Sequence, residues 1–86
     1  MYRIELANSA ANELEKVHQF DQKLYDRLIA VIESLRKDPY QGKKLKGKMK
    51  GDYSVRVGDY RIVYDIYKDK LVIVIIDVGH RREIYR

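Results

Sequence analysis

Arg56 and Arg61 stand on either side of a turn signal, Gly58-Asp59. The flanking stretches, Tyr53-Ser54-Val55-Arg56-Val57 and Tyr60-Arg61-Ile62-Val63-Tyr64-Asp65-Ile66-Tyr67, read as strands, and glycine at the first central position suits a two-residue type II′ turn. Such a turn sets Val57 against Tyr60, Arg56 against Arg61, Val55 against Ile62, Ser54 against Val63 and Tyr53 against Tyr64. Directly opposed residues share a face. One face then shows Tyr53, Val55, Val57, Tyr60, Ile62, Tyr64 and Ile66, and the other shows Ser54, Arg56, Arg61 and Val63. Opposed arginines repel by a few tenths to about 1 kcal/mol, and an anion between them reverses the sign. A phosphodiester suits that place, because the guanidinium fork matches phosphate oxygens. The competing reading is internal: Asp59 or Asp65 reaches over and pairs with one of the arginines, or the strands pair in a different register.

A second basic group closes the chain, Gly79-His80-Arg81-Arg82-Glu83-Ile84-Tyr85-Arg86. With the third strand beside the second and Gly79 breaking it, His80 and Arg81 are expected near the end where Arg61 sits. Guanidinium, imidazole and phenol groups then converge on one concave face. This is an acid/base inventory that needs no metal. Imidazole titrates near neutral pH, phenol serves as a base only when nearby cations lower its pKa, and arginines hold the charge of a phosphorane-like transition state. Taken alone, His80 also reads as a surface or hinge histidine and Tyr85 as a packing residue. A metal is disfavoured, since His80 and Glu83 have only His18 as a further imidazole and the chain has no cysteine. Neither a glycine-rich phosphate loop nor a Ser-His-Asp signature is present, so no cofactor is expected.

The elements that must position these groups are legible in the periodicity. Tyr2 to Leu6 alternates as a short strand. Asn8 or Ser9 is expected to cap a helix over about residues 9–18, with Ala10, Leu14 and Val17 at helical spacing. Asp21 caps a second helix whose stripe runs through Leu24, Tyr25, Leu28, Ile29, Ile32 and Leu35 to Lys37, and Pro39 stops it. The third strand, Leu71 to Asp77, is apolar on both faces and hence central. The order β-α-α-β-β-β predicts one α+β domain over residues 1–86. An N-terminal strand and a helical hairpin pack on a mainly antiparallel sheet of three to four strands. The tyrosines mostly follow core periodicity, leaving one or two to stack on bases at an edge.

Composition narrows the function classes. Of 86 residues, 45% are hydrophobic and one is proline, which fits a folded domain and excludes disorder. The net charge is +5, and its spread is uneven. Residues 1–42 hold six Lys/Arg against seven Asp/Glu, whereas residues 43–86 hold twelve against six. Within Lys43-Lys44-Leu45-Lys46-Gly47-Lys48-Met49-Lys50 there are five lysines and no acid, a field that attracts polyanions and strengthens at low salt. Nucleic acid leads as partner, against a solvated loop or a docking face for an acidic protein. No signal-peptide-like start and no apolar run long enough to span a bilayer are present, so the expected setting is the cytoplasm, away from membranes.

These residues resemble the RelE/ParE superfamily of bacterial toxins from toxin–antitoxin pairs. The likeness covers nearly the whole chain: the opening strand, the helical hairpin ending Leu35-Arg36-Lys37-Asp38-Pro39, Lys44-Leu45-Lys46-Gly47, the stretch from Tyr53 to Tyr64, and Gly79-His80-Arg81. Its most specific part runs from Arg56 to Tyr64. A RelE-like fold is implied, and for RelE-type members a metal-independent ribonuclease that enters the ribosomal A site and cuts messenger RNA. There the 2′-hydroxyl attacks the adjacent phosphate, leaving a 2′,3′-cyclic phosphate and a 5′-hydroxyl. A cognate RelB-like antitoxin, acidic and partly disordered, is implied as partner. By position, the resemblance gives Arg61 and Arg81 the scissile phosphate, Arg56 a basic place on the first hairpin strand, and Tyr85 the attacking hydroxyl. Ser54 stands where the best-known members carry lysine, which leaves the general base or acid open between Tyr85 and His80. Lys43, Lys44, Lys46, Lys48, Lys50 and Ser54 are the expected RNA contacts. ParE-type members poison DNA gyrase instead and usually lack the terminal tyrosine, so Tyr85 and His80 favour the nuclease.

Overall fold

Apolar residues at alternate positions make the opening stretch a strand, and in the computed structural model, which describes residues 1–46 and 51–80, it is β1, Arg3–Leu6. Four residues singled out above, Lys48, Lys50, Arg81 and Tyr85, lie outside the described residues. Helix α1, Asn8–Phe20, buries Ala10, Leu14 and Val17 at helical spacing. Its cap differs from the expectation. Ala7 occupies the N-cap, and Ser9 lies inside the first turn, where its hydroxyl donates to the Ile76 carbonyl at 2.7 Å. The hydroxyl that would otherwise cap the helix thus fastens it to the sheet.

Helix α2, Gln22–Leu35, begins as expected, with the Asp21 carboxylate accepting from the Leu24 N–H at 3.1 Å. Leu28, Ile32 and Leu35 form its buried stripe. Pro39 then opens a 3-10 turn, Pro39–Gln41. The remaining strands are β2, Lys43–Lys44; β3, Tyr53–Val57; β4, Tyr60–Tyr67; and β5, Val72–His80. They join β1 in one sheet of order β1-β5-β4-β3-β2, antiparallel except for the parallel pair β1–β5. The α+β architecture agrees with the sequence, but the sheet has five strands rather than three or four. The additional strand is β2, whose two residues are too few to show a period.

Both helices lie on one face. Their stripes meet Val57, Ile62, Tyr64, Ile73, Ile75 and Val78 in the core, and Tyr53, Val55, Tyr60 and Ile66 pack against it. The hairpin has the expected register, Val57 to Tyr60 and Arg56 to Arg61, with Gly58 at φ +61°. Strand β5 is interior, as its apolar run implies, yet it runs through Gly79 instead of breaking there; Gly79 is buried opposite Arg61. A glycine inside a strand often marks a place where another group approaches closely. The register also slips: Val63 faces Asp77 but Tyr64 faces Ile75, so Ile76 is an extra residue in β5. Before this bulge the odd residues Ile73 and Ile75 point to the helices. After it Val78 does, and Asp77 and Gly79 turn to the other face.

One buried phenol ties the turn after α2 to the sheet. The Tyr64 hydroxyl donates to the Pro39 carbonyl at 2.8 Å and accepts from the Gly42 N–H at 3.2 Å. A side chain on Gly42 has no room, since its Cβ would sit 2.5 Å from the Tyr64 hydroxyl and 2.7 Å from the Ser54 carbonyl oxygen. Burial is the main cause that raises the Tyr64 phenol above its ordinary value. Two losses of stability are expected in urea denaturation. Tyr64→Phe strands a buried carbonyl and a part-buried N–H and costs about 1–3 kcal/mol. Gly42→Ala forces that turn off the sheet and costs a similar amount, about 1–3 kcal/mol.

Candidate functional site

The face turned away from the helices is built in rows across the strands. Arg56, Arg61 and Gly79 form the row next to the hairpin turn, and Lys43, Ser54, Val63 and Asp77 form the next. Rows on one face of a strand are two residues apart, about 7 Å. Arg56 is exposed, while Arg61 is half-buried with its Nε fully enclosed, so the stem of Arg61 is held against the sheet. Farther from the turn the chain at Gly51, with φ +90°, lies on Val63 and leaves no space for a side chain there. The accessible part of the face is therefore its arginine end.

Arg56 forms no ion pair with another described residue. Asp65, one of the two carboxylates named above as a competing partner for an arginine, accepts from the Asp52 N–H at 2.7 Å. Burial, and then the neighbouring Asp52 carboxylate, push Asp65 above the usual carboxylate range, while the bond from the Asp52 N–H pulls it down.

The lysine run divides. Lys43 opposes Ser54 and shares the arginine face; Lys44 opposes Tyr53 and lies on the helix side; Lys46 is exposed beyond β2. Ser54 is on the arginine face but 2% exposed, so its expected place as an RNA contact is corrected to one beneath the surface. His80 also departs from expectation. It opposes Tyr60, with ring centroids 5.9 Å apart, and therefore lies on the helix side rather than beside Arg61. The reason is the strand that continues through Gly79, because alternation then sends residues 79 and 80 to opposite faces.

Two neighbours escaped the sequence reading. Asp77 stands diagonally from Arg61 on the arginine face, put there by the bulge. Arg27 of α2 lays its guanidinium over the hairpin turn, about where a Gly58 Cβ would be 3.6 Å from its Nη1, and it forms no ion pair among the described residues. No spacing in the sequence signals either. Among the described residues no group of three or more His, Cys, Asp or Glu side chains is placed to hold a metal, and no helix is long and apolar enough to cross a membrane. What the arrangement offers is a row of cations, held close together, for an oxyanion.

Two measurements check this electrostatic account. Arg56→Gln removes one of two opposed charges while keeping the stem; it should raise thermal stability at low salt by a few tenths to about 1 kcal/mol, and added NaCl should erase the gain. A raised carboxylate has the opposite sign from a salt-bridged one. Asp65 weakens the fold once ionised, and that penalty is lifted as pH falls through its folded pKa. Asp65→Asn should therefore match the parent at about pH 3 and be the more stable of the two by about pH 6.

Comparison with known proteins bears on what uses this face. The family described as the ParE toxin of type II toxin–antitoxin system, parDE, matches residues 4–85. Toxin RelG of Mycobacterium tuberculosis is 32% identical over 90 residues, covering 99% of this chain and 97% of that protein. Among solved structures, the RelBE2 toxin–antitoxin complex of Mycobacterium tuberculosis contains a chain that superposes with a TM-score of 0.78 at 27% identity, covering 93% of this chain and 98% of that one. The archaeal RelE–RelB complex of Pyrococcus horikoshii gives a TM-score of 0.76 at 26% identity, with 93% and 94% covered.

Proposed function

Since the chain belongs to the ParE toxin family of type II toxin–antitoxin systems, we propose that it is the toxin of such a pair and acts as a ribosome-dependent messenger RNA endonuclease that needs no metal. The observation that carries this reading is the opposed Arg56–Arg61 pair on the face free of helices, with Lys43 in the adjoining row. Two guanidinium groups opposed on a strand pair offer forked donors that match the oxygens of a phosphodiester.

In the proposed reaction the 2′-oxygen of one nucleotide attacks the adjacent phosphorus and the bond to the 5′-oxygen breaks. The hydroxyl proton passes to a base, and the leaving oxygen takes up a proton, giving a 2′,3′-cyclic phosphate and a 5′-hydroxyl. Arg61 and Arg81 hold the charge that builds on the phosphoryl oxygens, and Arg56 with the lysines holds the backbone on either side. Tyr85 or His80 moves the protons. The position of His80 beside Tyr60, on the helix side, favours Tyr85. The ribosome is given the task of orienting the substrate, because so sparse an acid/base set gains most from a fixed geometry. A RelB-like antitoxin is the proposed protein partner; two relatives above were solved as toxin–antitoxin complexes.

The alternative is a ParE-type poison of DNA gyrase, and it draws on the name of the matched family. Induced expression separates the two. The nuclease stops translation first and leaves new 5′-hydroxyl ends on messages, whereas the gyrase poison stops supercoiling and replication first. With folding intact, Arg61→Ala and Arg81→Ala should each lower cleavage by about 100-fold or more and relieve growth arrest. Tyr85→Phe should lower it comparably and His80→Ala only a few-fold. Full toxicity in both arginine variants would remove the phosphate argument.

A further inference from the structure

We propose that Tyr40, Tyr53 and Lys44 form a stacking platform at the β2 edge, on the helix side of the sheet, for a base of the single-stranded RNA that flanks the cleaved link. The inference rests on the nuclease reading above and adds to it a second contact on a surface separate from the arginines.

Three observations converge. First, Tyr40 is 51% exposed although its neighbours tie it into the fold. Its ring lies 5.7 Å from that of Tyr53 at 79°, and Tyr53 in turn stacks at 5.7 Å and 21° on Tyr64. Tyr64 is fully buried and fixed by its bonds to Pro39 and Gly42. The outer ring is thus the accessible end of an aromatic series whose inner end cannot move, so little order remains to be imposed when a base docks. Second, Lys44 opposes Tyr53 and shares its face, which puts an exposed lysine on the side of the sheet where the rings lie. Aromatic surface next to a cation suits a nucleotide, with the ring taking the base and the ammonium the phosphate. Third, β2 is the edge of the sheet, and its two lysines point to opposite faces. A strand leaving Arg61 crosses β3 to Lys43, about 12 Å away across two strand spacings and one row, and passes over the edge to Lys44. Asp38, a carboxylate near enough to Tyr64 to raise its phenol, offsets part of this charge, so stacking carries more of the affinity than the lysine does.

The full chain, titrated with single-stranded oligouridylate and followed by quenching of its tyrosine fluorescence, tests the platform. Tyr40→Ala should weaken binding about 5- to 100-fold, the range for one lost base–aromatic stack, while Tyr40→Phe stays within about twofold of the parent. Tyr40→Leu keeps an apolar contact with Tyr53 but has no π-face, and should bind as weakly as Tyr40→Ala; a matching thermal midpoint for the leucine variant removes misfolding as the cause. Lys44→Gln should lower the slope of log affinity against log salt by about 0.7. The platform is overturned if Tyr40→Leu binds like the parent, if Tyr40→Phe is as weak as Tyr40→Leu, or if the parent binds no oligonucleotide. Mapping 5′ ends in the same strains keeps the two ideas apart. Cleavage with Tyr40-independent binding sinks the platform alone, and Tyr40-dependent binding without cleavage sinks the nuclease and leaves the platform.

Discussion

A two-residue turn at Gly58-Asp59 is the constraint on which the rest depends. Gly58 adopts φ +61°, a conformation that side chains resist, and so the hairpin closes at this position and at no neighbouring one. A slip of one residue would send Arg56 to the core face and Val55 to solvent. With the turn fixed, Arg56 meets Arg61 across the pair and the apolar residues Val55, Val57 and Ile62 meet the helices. The hydrophobic demand and the electrostatic liability are therefore set by the same geometry. Burial of the apolar face is worth several times the repulsion of two partly solvated cations, which is why the fold tolerates the charge pair.

The two faces of the sheet then divide the work. On one, α1 and α2 cover Ile62, Tyr64, Ile73, Ile75 and Val78, and the Tyr64 hydroxyl fastens the turn at Pro39 and Gly42 to the same layer. On the other, the arginine row stays accessible at one end, and the chain at Gly51 lies over Val63 at the other. Between them the extra residue Ile76 in β5 changes the sense of alternation. The Ser9 hydroxyl binds the carbonyl of that same residue, so α1 is fastened to the strand at its irregularity. Without the bulge, Asp77 would point into the core, where an ionised carboxylate is costly, and Val78 would face outward. The irregularity keeps the core apolar and puts an acid diagonally from Arg61.

Membership of the toxin family gives this separation a context without supplying its chemistry. The shared fold positions a row of arginines, and what such a row does depends on the side chains that complete the site. In this chain Ser54 is buried on that face, so the positive charge near the proposed scissile link comes from arginines and from Lys43.

Residues close in sequence settled much of this by themselves. The hairpin register, the cap at Asp21 and the stripe of α2 all follow from interactions within a few positions, and each is found as read; the helix itself ends at Leu35, two residues short of the expected Lys37. The apolar run of β5 likewise marked an interior strand. Tertiary structure decided what depends on pairing between distant segments. The pairing of β2 with β3 placed Lys43 and Lys44 on opposite faces, and the pairing of β5 with β4 carried the strand through Gly79 and set His80 against Tyr60. One unpaired residue in a long apolar run leaves no mark on composition or period, yet it reverses the face of every residue after it. Side-chain direction beyond such a point is set by the partner strand, which the sequence does not name.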